Sequence, residues 1–294
     1  MRIPRFIVST PDLIRQGIQP GASPETLIGS VVRTEKDIHH LRNVLRLKPG
    51  DTVEAFFADQ GWSYAGVLEQ ISLQAADLRI TAVIQRKRPP CVCLIAAWIK
   101  PQRAELLVEK ATELGASAIY FFTAARSRTA HTRPDSANRL RRLELIRDSA
   151  VKQSGTSVMP PVFIHAELHD ALHGAHGESN TTAASHEQRI VLRAPQLPDK
   201  NKQNRQNTSP IKGACNTKRT PALMQQPVPV KSLLELIKPN ADFYFIVGPE
   251  GGFSEHELEL VNNYGYQPAT LGANVLRTET AAMIACGLVH VCTD

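Results

Sequence analysis

Two glycine-bearing stretches near the end of the chain place charged side chains beside backbone that a ligand can approach. Residues 246–254 read Ile-Val-Gly-Pro-Glu-Gly-Gly-Phe-Ser, and residues 271–281 read Leu-Gly-Ala-Asn-Val-Leu-Arg-Thr-Glu-Thr-Ala. Glycine allows positive φ angles and lets a ligand come close to the main chain. Glu250, Arg277 and Glu279 add two carboxylates and a guanidinium, so these stretches could bind a ligand through main-chain groups and act on it through charge.

Each stretch follows a strand pattern and precedes a helical one. The run 243–247 is continuously apolar, which is typical of a strand buried on both faces of a parallel sheet. Ser254 and Glu257 form a capping box, so a helix begins there and ends near Gly265. The second stretch repeats the plan, with a helix from about Thr278. We expect both loops side by side at the carboxyl edge of one sheet, where ligands bind. Either motif alone fits an ordinary turn between a strand and a helix equally well.

The pattern of elements divides the chain into two parts. Residues 1–86 contain five strand candidates and one helix, predicted from Thr34 through Leu45, which favours a small β-barrel. The charged and proline-stiffened stretch 86–90 marks a boundary. Beyond it strands and helices alternate, which predicts an α/β fold with a parallel sheet. Residues 195–228 are polar and proline-bearing, and this composition predicts a disordered insert.

Composition excludes several classes of protein. The chain has 294 residues, and no stretch approaches the about 20 apolar residues of a membrane span. Its beginning lacks the apolar core of a signal peptide. Five cysteines without a Cys-x-x-Cys pair suit a reducing cytoplasm and argue against structural zinc. Four histidines between residues 165 and 176 lack acidic or cysteine partners at matching spacing, so we expect an exposed helix there rather than a metal site.

Positive charge is concentrated in one segment. The net charge is +6, and seven arginines lie between Arg126 and Arg147 against two acidic residues, whereas residues 229–294 are net negative. A localised basic stretch is typical of proteins that bind phosphate backbones. A solvated helix face would give the same pattern.

The paired stretches resemble the signature of the ribosomal small-subunit methyltransferase E family, which belongs to the knotted SPOUT methyltransferases. That signature is Gly-Pro-Glu-Gly-Gly followed by Leu-Gly-x-x-x-Leu-Arg-Thr-Glu-Thr-Ala. Further similarity extends over nearly the whole chain except the insert, at residues 1–5, 40–46, 109–115 and 153–155. The resemblance implies a PUA-like RNA-binding barrel, then a methyltransferase domain over residues 91–294. It also implies a deep trefoil knot at about 246–290 and an obligate homodimer.

The resemblance implies S-adenosylmethionine as the methyl donor and no metal. Main-chain groups in glycine loops can form hydrogen bonds with an adenine, and leucine side chains can provide the apolar walls of the site. The implied cofactor-binding residues lie near the ends of three strands: Leu192, Val247, Gly248, Pro249, Glu250, Gly251, Gly252, Leu271, Gly272, Leu276, Arg277 and Thr278. Relatives often carry His-Pro or Glu where this chain has Arg193-Ala194, so one wall departs from the family pattern.

The resemblance also implies a reaction, methylation of N3 of one uridine in the 16S ribosomal RNA of the 30S subunit. Uracil N3 carries a proton, so the enzyme must accept that proton and stabilise the charge that develops on the base. The implied catalytic residues are Arg277 and Glu279. Arg277 would stabilise an oxygen of the base or a phosphate, and Glu279, with Glu250, would handle the proton or hold Arg277. A carboxylate at position 279 would equally suit a helix N-terminus.

Basic residues of both domains would hold RNA phosphates. The implied contacts are Arg2, Arg5, Arg42, Arg46, Arg126, Arg128 and Lys152. The i,i+4 spacing of Arg42 and Arg46 places both on one helix face. Relatives usually read Glu-Gln-x-Gly-Arg where this chain reads Lys-Gln-Ser-Gly-Thr at residues 152–156. A carboxylate has therefore become Lys152, and an arginine has become Thr156.

Other functions fit part of the same pattern. Another SPOUT enzyme, such as a transfer-RNA ribose methyltransferase, would lack the N-terminal barrel joined to this pair of loops. A non-catalytic RNA-binding or ribosome-assembly protein would explain the changes at Lys152 and Thr156, but the intact glycines and residues 277–279 argue against it. A nucleotide-phosphate site is disfavoured because the chain has no Gly-Lys-Ser/Thr and no Gly-x-Gly-x-x-Gly motif.

Overall fold

The computed structural model describes residues 3–8, 23–35, 38–57, 62–85, 90–127, 136–177, 186–195 and 230–293. These residues form a five-stranded sheet followed by a seven-stranded sheet. Most of the expected boundary at 86–90 and nearly all of the expected insert lie outside the described residues, as do Arg2 and Arg128. No helix in the described part of the chain is long and apolar enough to cross a membrane.

The first sheet contains the five strands that the sequence predicts: β1 (Arg5–Val8), β2 (Val31–Thr34), β3 (Thr52–Phe57), β4 (Trp62–Ile71) and β5 (Ala76–Ile84). Their order is β1-β3-β4-β5-β2, with β1 parallel to β3 and the other neighbours antiparallel. Phe6, Phe57, Tyr64 and Leu78 lie in one core and are almost fully buried. Apolar burial on this scale drives the sheet together.

The helical segment predicted from Thr34 begins later in the structure. Thr34 does not cap a helix, because it is the buried last residue of β2 and pairs with Ala76. Ile38 and His39 are α-helical and lead into a π-helix at His40–Val44. Arg46 lies beyond it with a φ of 54°. The prediction that Arg42 and Arg46 follow one another on one regular helix is therefore wrong.

The second part alternates strands and helices as predicted. In chain order these are β6 (Val92–Ala97), α1 (Pro101–Glu113), β7 (Ala118–Phe122), α2 (Ser136–Ser154), β8 (Val162–His165), α3 (Leu168–His176), β9 (Glu187–Leu192), β10 (Lys231–Ser232), α4 (Leu233–Leu236), β11 (Asp242–Val247), α5 (Glu255–Asn263), β12 (Gln267–Thr270) and α6 (Thr278–Thr293). All seven strands are parallel to their neighbours, in the order β10-β12-β9-β11-β6-β7-β8.

Helices cover both faces of this sheet. Leu94 and Ala96 of β6 pack with α1 and α6. Ile95 and Ala97, which point to the opposite face, pack with α3 and α5. Burial within α6 raises the pKa of Cys286 to about 12, so this cysteine is a neutral packing group. The expected α/β fold with a doubly covered parallel sheet is confirmed.

The strand order corrects one expectation about the two glycine-bearing loops. The strands that precede them, β11 and β12, are not neighbours, because β9 lies between them and pairs with both. Since all three strands are parallel, their carboxyl ends still meet at one edge of the sheet. The end of β9, at Leu192, therefore stands between the two loops. The trefoil knot and the homodimer stay predictions.

Arg5 joins the two parts of the molecule. It is 7% exposed, and its Nε lies 3.1 Å from Oε1 of Glu54. Its Nη1 donates to the carbonyl oxygen of Val151 in α2 at 3.1 Å, and its Nη2 donates to Oγ of Ser63 at 3.2 Å. The guanidinium also lies over the ring of Phe56. The prediction that Arg5 faces RNA phosphates is therefore wrong, since its charge is engaged inside the protein.

Candidate functional site

The loops after β9, β11 and β12 enclose a cavity of about 310 Å³ together with the first turn of α6. We call this cavity the large crevice. Nine of the expected cofactor-binding residues line it: Leu192, Val247, Gly248, Pro249, Glu250, Gly252, Leu271, Leu276 and Thr278. The sequence analysis missed Phe253, Leu258 and Ala281, which also line it, whereas the expected residues Gly251, Gly272 and Arg277 do not. Arg193 and Ala194 form part of the wall at the end of β9.

Glycine is required at specific points of the loop after β11. A Cβ atom on Gly251 would lie 2.6 Å from the carbonyl oxygen of Arg126, and one on Gly248 would lie 2.7 Å from the ring of Phe253. Gly252 has a φ of 69°, in the left-handed region that favours glycine. The loop can therefore pack closely only because these positions lack side chains.

One side-chain hydrogen bond fixes the loop after β11 to the start of α6. Oγ1 of Thr278 donates to the carbonyl oxygen of Gly248 at 2.8 Å. Thr278 is buried. The two glycine-bearing stretches are thus tied to each other.

The capping box at the start of α5 also fixes a third loop. Oγ of Ser254 accepts from the Glu257 amide at 3.2 Å, and Oε2 of Glu257 accepts from the Ser254 amide at 2.7 Å, so this prediction is confirmed. Oε1 of Glu257 accepts a further hydrogen bond from the amide of Ala125 at 2.9 Å. The loop after β7 is therefore held against the loop after β11, and Arg126 lines the large crevice.

A second cavity adjoins the first. It measures about 240 Å³, and we call it the small pocket. Pro249 and Glu250 line both cavities. Arg103, in the first turn of α1, also lines the small pocket. Its Nη1 donates to Oε1 of Glu250 at 2.7 Å, and its Nε lies 3.5 Å from Oε1 of Glu279.

Arg103 was missed by the sequence analysis, although one local signal points to it. A basic side chain in the first turn of a helix is disfavoured by the helix dipole, so its presence there calls for a reason. Arg103 follows β6, whose carboxyl end lies at the same edge as those of β9 and β11. Its partnership with Glu279 also corrects an expectation, because Glu279 holds Arg103 rather than Arg277. Arg277 is exposed and lines neither cavity.

The expected RNA contacts are placed unevenly. Arg42 and Arg46 are exposed on the N-terminal part, and Arg126 reaches the large crevice. Lys152 is partly buried near the end of α2 and lines neither cavity. Among the described residues, no group of three or more histidines, cysteines or acids is arranged to hold a metal ion.

Comparison with known families assigns both parts of the chain. A family model described as an RNA methyltransferase domain matches residues 86–214 and 206–290, and one described as an RNA methyltransferase PUA domain matches residues 34–81. The second part is thus an RNA methyltransferase domain, and the first contains a PUA domain of that kind. The chain belongs to the RNA methyltransferase family.

Relatives within this family confirm the resemblance to the small-subunit methyltransferase E proteins. The chain is 28% identical over 269 residues to the ribosomal RNA small subunit methyltransferase E of Synechocystis, covering 91% of this chain and 75% of the relative. It is 29% identical over 275 residues to the Mycobacterium bovis protein of that name, covering 92% and 89%.

Solved structures share the fold of the described residues. A Legionella pneumophila methyltransferase with bound S-adenosylmethionine superposes with a TM-score of 0.68 and 22% identity, covering 100% of this chain and 99% of that one. A Neisseria gonorrhoeae ribosomal RNA small subunit methyltransferase E, also bound to S-adenosylmethionine, gives 0.66 and 22%, covering 99% and 98%.

Proposed function

We propose that this protein transfers a methyl group from S-adenosylmethionine to N3 of a uridine in 16S ribosomal RNA, within the small ribosomal subunit. The observation that carries the proposal is the convergence of three strand-end loops on the large crevice, tied together by Thr278 and Gly248. The family model supports methyl transfer to RNA. The names of the relatives support the small-subunit substrate, and the bound donor of two solved neighbours supports the cofactor.

The residues of the large crevice suit this donor. Leu192, Leu271 and Leu276 supply apolar walls, while the glycine loops present main-chain donors and acceptors. In the loop after β11, Gly251 packs against the carbonyl oxygen of Arg126, and this close contact holds the loop in place beside the crevice. Glu250 adds a negative charge that favours a cationic ligand. When bound, S-adenosylmethionine supplies an electrophilic methyl group on a sulfonium.

The proton on uracil N3 must leave before or during the transfer. We assign its acceptance to Glu250, because this carboxylate lines both cavities and its side chain is 48% exposed. From there the proton can pass to water. Glu279 is 4% exposed and lines neither cavity, so its role is to position Arg103 rather than to exchange protons with solvent.

Exposed arginines are proposed to bind the RNA backbone. Arg42 and Arg46 lie on the N-terminal part, which matches the PUA model. Arg277 directly precedes the N-terminus of α6. Arg126 stands in the wall of the large crevice, where it would hold a phosphate close to the reacting base. Each contact to a phosphate would add to the salt dependence of binding.

We further propose that the protein acts in the cytoplasm as a homodimer, with the domains at 1–86 and 91–294 and the knot at about 246–290. Support for the dimer comes from apolar side chains left exposed on and beside α6, at Val275, Ile284 and Val291. A second copy of this helix would cover them.

A non-catalytic RNA-binding role draws its support from Lys152 and Thr156. The structure keeps Lys152 away from the linings of both cavities, so the lost carboxylate is not part of either lining. The catalytic proposal therefore does not need it. Methylation by Lys152→Glu should match that of the original chain, and a large gain in rate would show that this position takes part in the chemistry.

The decisive experiment is to map the product. The purified protein is incubated with unmodified 30S subunits and labelled S-adenosylmethionine, and the RNA is digested and analysed by mass spectrometry. We expect one N3-methyluridine in 16S RNA. Methylation of a ribose, of transfer RNA or of no RNA would refute the proposal. Calorimetric titration with S-adenosylmethionine separates an inactive binder of RNA from an enzyme, since a protein without a donor site gives no heat.

A further inference from the structure

The small pocket is placed to receive a group that reacts with whatever occupies the large crevice. Pro249 and Glu250 line both cavities, so the contents of the two cavities would meet beside these residues. At about 240 Å³, the small pocket is below the about 300–1,000 Å³ typical of drug-sized ligand sites, so it suits a single ring. Trp98 and Pro249 contribute apolar wall, whereas Lys100, Arg103 and Glu250 are the charged groups.

Arg103 is held rigidly in this pocket. Its side chain is 30% exposed and is fixed by Glu250 at 2.7 Å on one side and Glu279 at 3.5 Å on the other. Its Nη2 donates to no described residue. A guanidinium that is anchored at two atoms and retains a donor is pre-organised to bind an oxygen.

Glu279 is an unusual anchor. It is 4% exposed, and its Oε2 accepts no hydrogen bond from the described residues. A buried carboxylate oxygen that accepts no hydrogen bond lowers the stability of the fold. Its presence therefore indicates that the residue has a functional role. Its other oxygen lies 3.5 Å from Nε of Arg103, so the carboxylate places negative charge next to the guanidinium.

We propose that the small pocket binds the target pyrimidine and that Arg103 contacts an exocyclic carbonyl oxygen of that base. This inference rests on the proposed function and adds a catalytic residue, Arg103, and a positioning residue, Glu279. As the N3 proton passes to Glu250, negative charge spreads to the carbonyl oxygens, and Arg103 stabilises it. The N3 lone pair then forms the new N–C bond while the bond from the methyl carbon to sulfur breaks, and its electron pair stays on sulfur.

The test compares single-turnover methylation of unmodified 30S subunits with calorimetric binding of S-adenosylmethionine. For Arg103→Gln we expect the rate to fall about 100-fold, as for the loss of one charge-stabilising donor, with the donor affinity within about threefold of the original. Arg103→Lys keeps the positive charge but loses the planar pair of guanidinium donors, so its rate should fall only about tenfold. Lys110→Gln, on the same helix and paired with Glu109 and Glu113, is the matched control and should leave both quantities unchanged.

Dependence on pH separates a chemical role from a structural one. Without the guanidinium the base gives up its N3 proton less readily, so the rate of Arg103→Gln should keep rising to a higher pH than that of the original protein. If Glu279 acts through Arg103, the double variant Arg103→Gln with Glu279→Gln should be no slower than Arg103→Gln alone.

The outcomes distinguish the inference from the proposed function. An Arg103→Gln protein that methylates at the original rate, loses donor binding in step with the rate, or shows an unshifted pH profile would overturn the role of Arg103 alone. If the original protein forms no N3-methyluridine, the proposed function fails and the inference fails with it.

Discussion

The hydroxyl of Thr278 donates a 2.8 Å hydrogen bond to the carbonyl oxygen of Gly248, 30 positions earlier in the chain. Thr278 is 3% exposed, so its side chain is largely shielded from solvent. The hydrogen bond joins the loop after β11 to the start of α6, and both line the large crevice. The crevice is therefore shaped before a ligand enters, which reduces the entropy lost on binding.

Replacing Thr278 by valine should weaken binding of S-adenosylmethionine. The change keeps the shape of the side chain but leaves the Gly248 carbonyl without its donor, at a cost of about 1–3 kcal/mol. We expect the dissociation constant measured by calorimetry to rise about tenfold. Thr293→Val, which removes a 2.7 Å hydrogen bond at the other end of α6, should leave the affinity unchanged. Equal effects of both substitutions would contradict a local role for Thr278.

Replacing Gly251 by alanine should displace the loop after β11. The new methyl group would meet the carbonyl oxygen of Arg126 at 2.6 Å, and a backbone atom cannot move aside cheaply. We expect a loss of about 1–3 kcal/mol in the free energy of unfolding, together with weaker donor binding. Thermal unfolding and calorimetry measure the two effects.

The matched control for this substitution is Gly287→Ala in α6. There a methyl group would meet only Leu114 at 3.8 Å, which is ordinary contact, and alanine in a helix is favoured by about 0.5–1 kcal/mol. This variant should be as stable as the original protein or more stable. A Gly251→Ala protein with unchanged stability and donor affinity would show that the close approach to Arg126 relaxes freely.

Local signals in the sequence were sufficient for the elements and for much of the large crevice. The capping box of Ser254 and Glu257 depends on neighbours three residues apart, so it could be read directly and is confirmed. The apolar run before Gly248 identified β11, and parallel strands necessarily bring their carboxyl ends to one edge. The position of β9 between β11 and β12 could not be read, because strand order is a property of the folded chain.

Long-range pairing explains what the sequence could not show. Arg103 and Glu250 lie 147 positions apart, so no spacing rule connects them. Arg5 was taken for a surface charge because a sequence does not reveal burial. The parallel register of β1 and β3 places it opposite Glu54, and that partner makes a buried charge tolerable.

Replacing Arg5 by methionine should destabilise the protein strongly. The Arg5 and Glu54 side chains are 3% and 9% exposed, so removal of one partner leaves a buried, uncompensated charge. Breaking such a pair costs about 3–5 kcal/mol, which urea unfolding would detect. The double variant Arg5→Met with Glu54→Leu should recover most of the loss, since apolar side chains can replace a buried pair.

The control for Arg5 is an exposed pair in the same domain. Nε of Arg33 lies 2.7 Å from Oδ1 of Asp77, and the Arg33 side chain is 58% exposed. Arg33→Met should therefore leave the unfolding midpoint almost unchanged. If Arg5→Met instead lowers only RNA affinity and its salt dependence, with stability intact, Arg5 would be a phosphate contact after all.

Stability should fall in mild acid through His176. Burial, and secondly the positive charge of Arg189, lower the pKa of His176 to about 4, and its Nε2 lies 2.8 Å from the hydroxyl of Tyr266. The unfolded chain binds a proton near the ordinary pKa of about 6.5, whereas the folded chain does not. The contribution is therefore complete above about pH 6.5 and is lost as the pH falls toward 4. Allowing for partial exposure, we expect about 1–2 kcal/mol.

Urea unfolding at pH 7 and pH 5 tests this with two variants. His176→Gln keeps a polar partner for Tyr266 but cannot take up a proton, so its stability should change less between the two pH values than that of the original protein. His173→Gln, on the exposed side of the same helix, should retain the original pH dependence. Burial also lowers the pKa of His165, but this residue is present in every variant and its effect cancels in the comparison. If His176→Gln and the original protein lose equal stability on acidification, the acid sensitivity lies in another group.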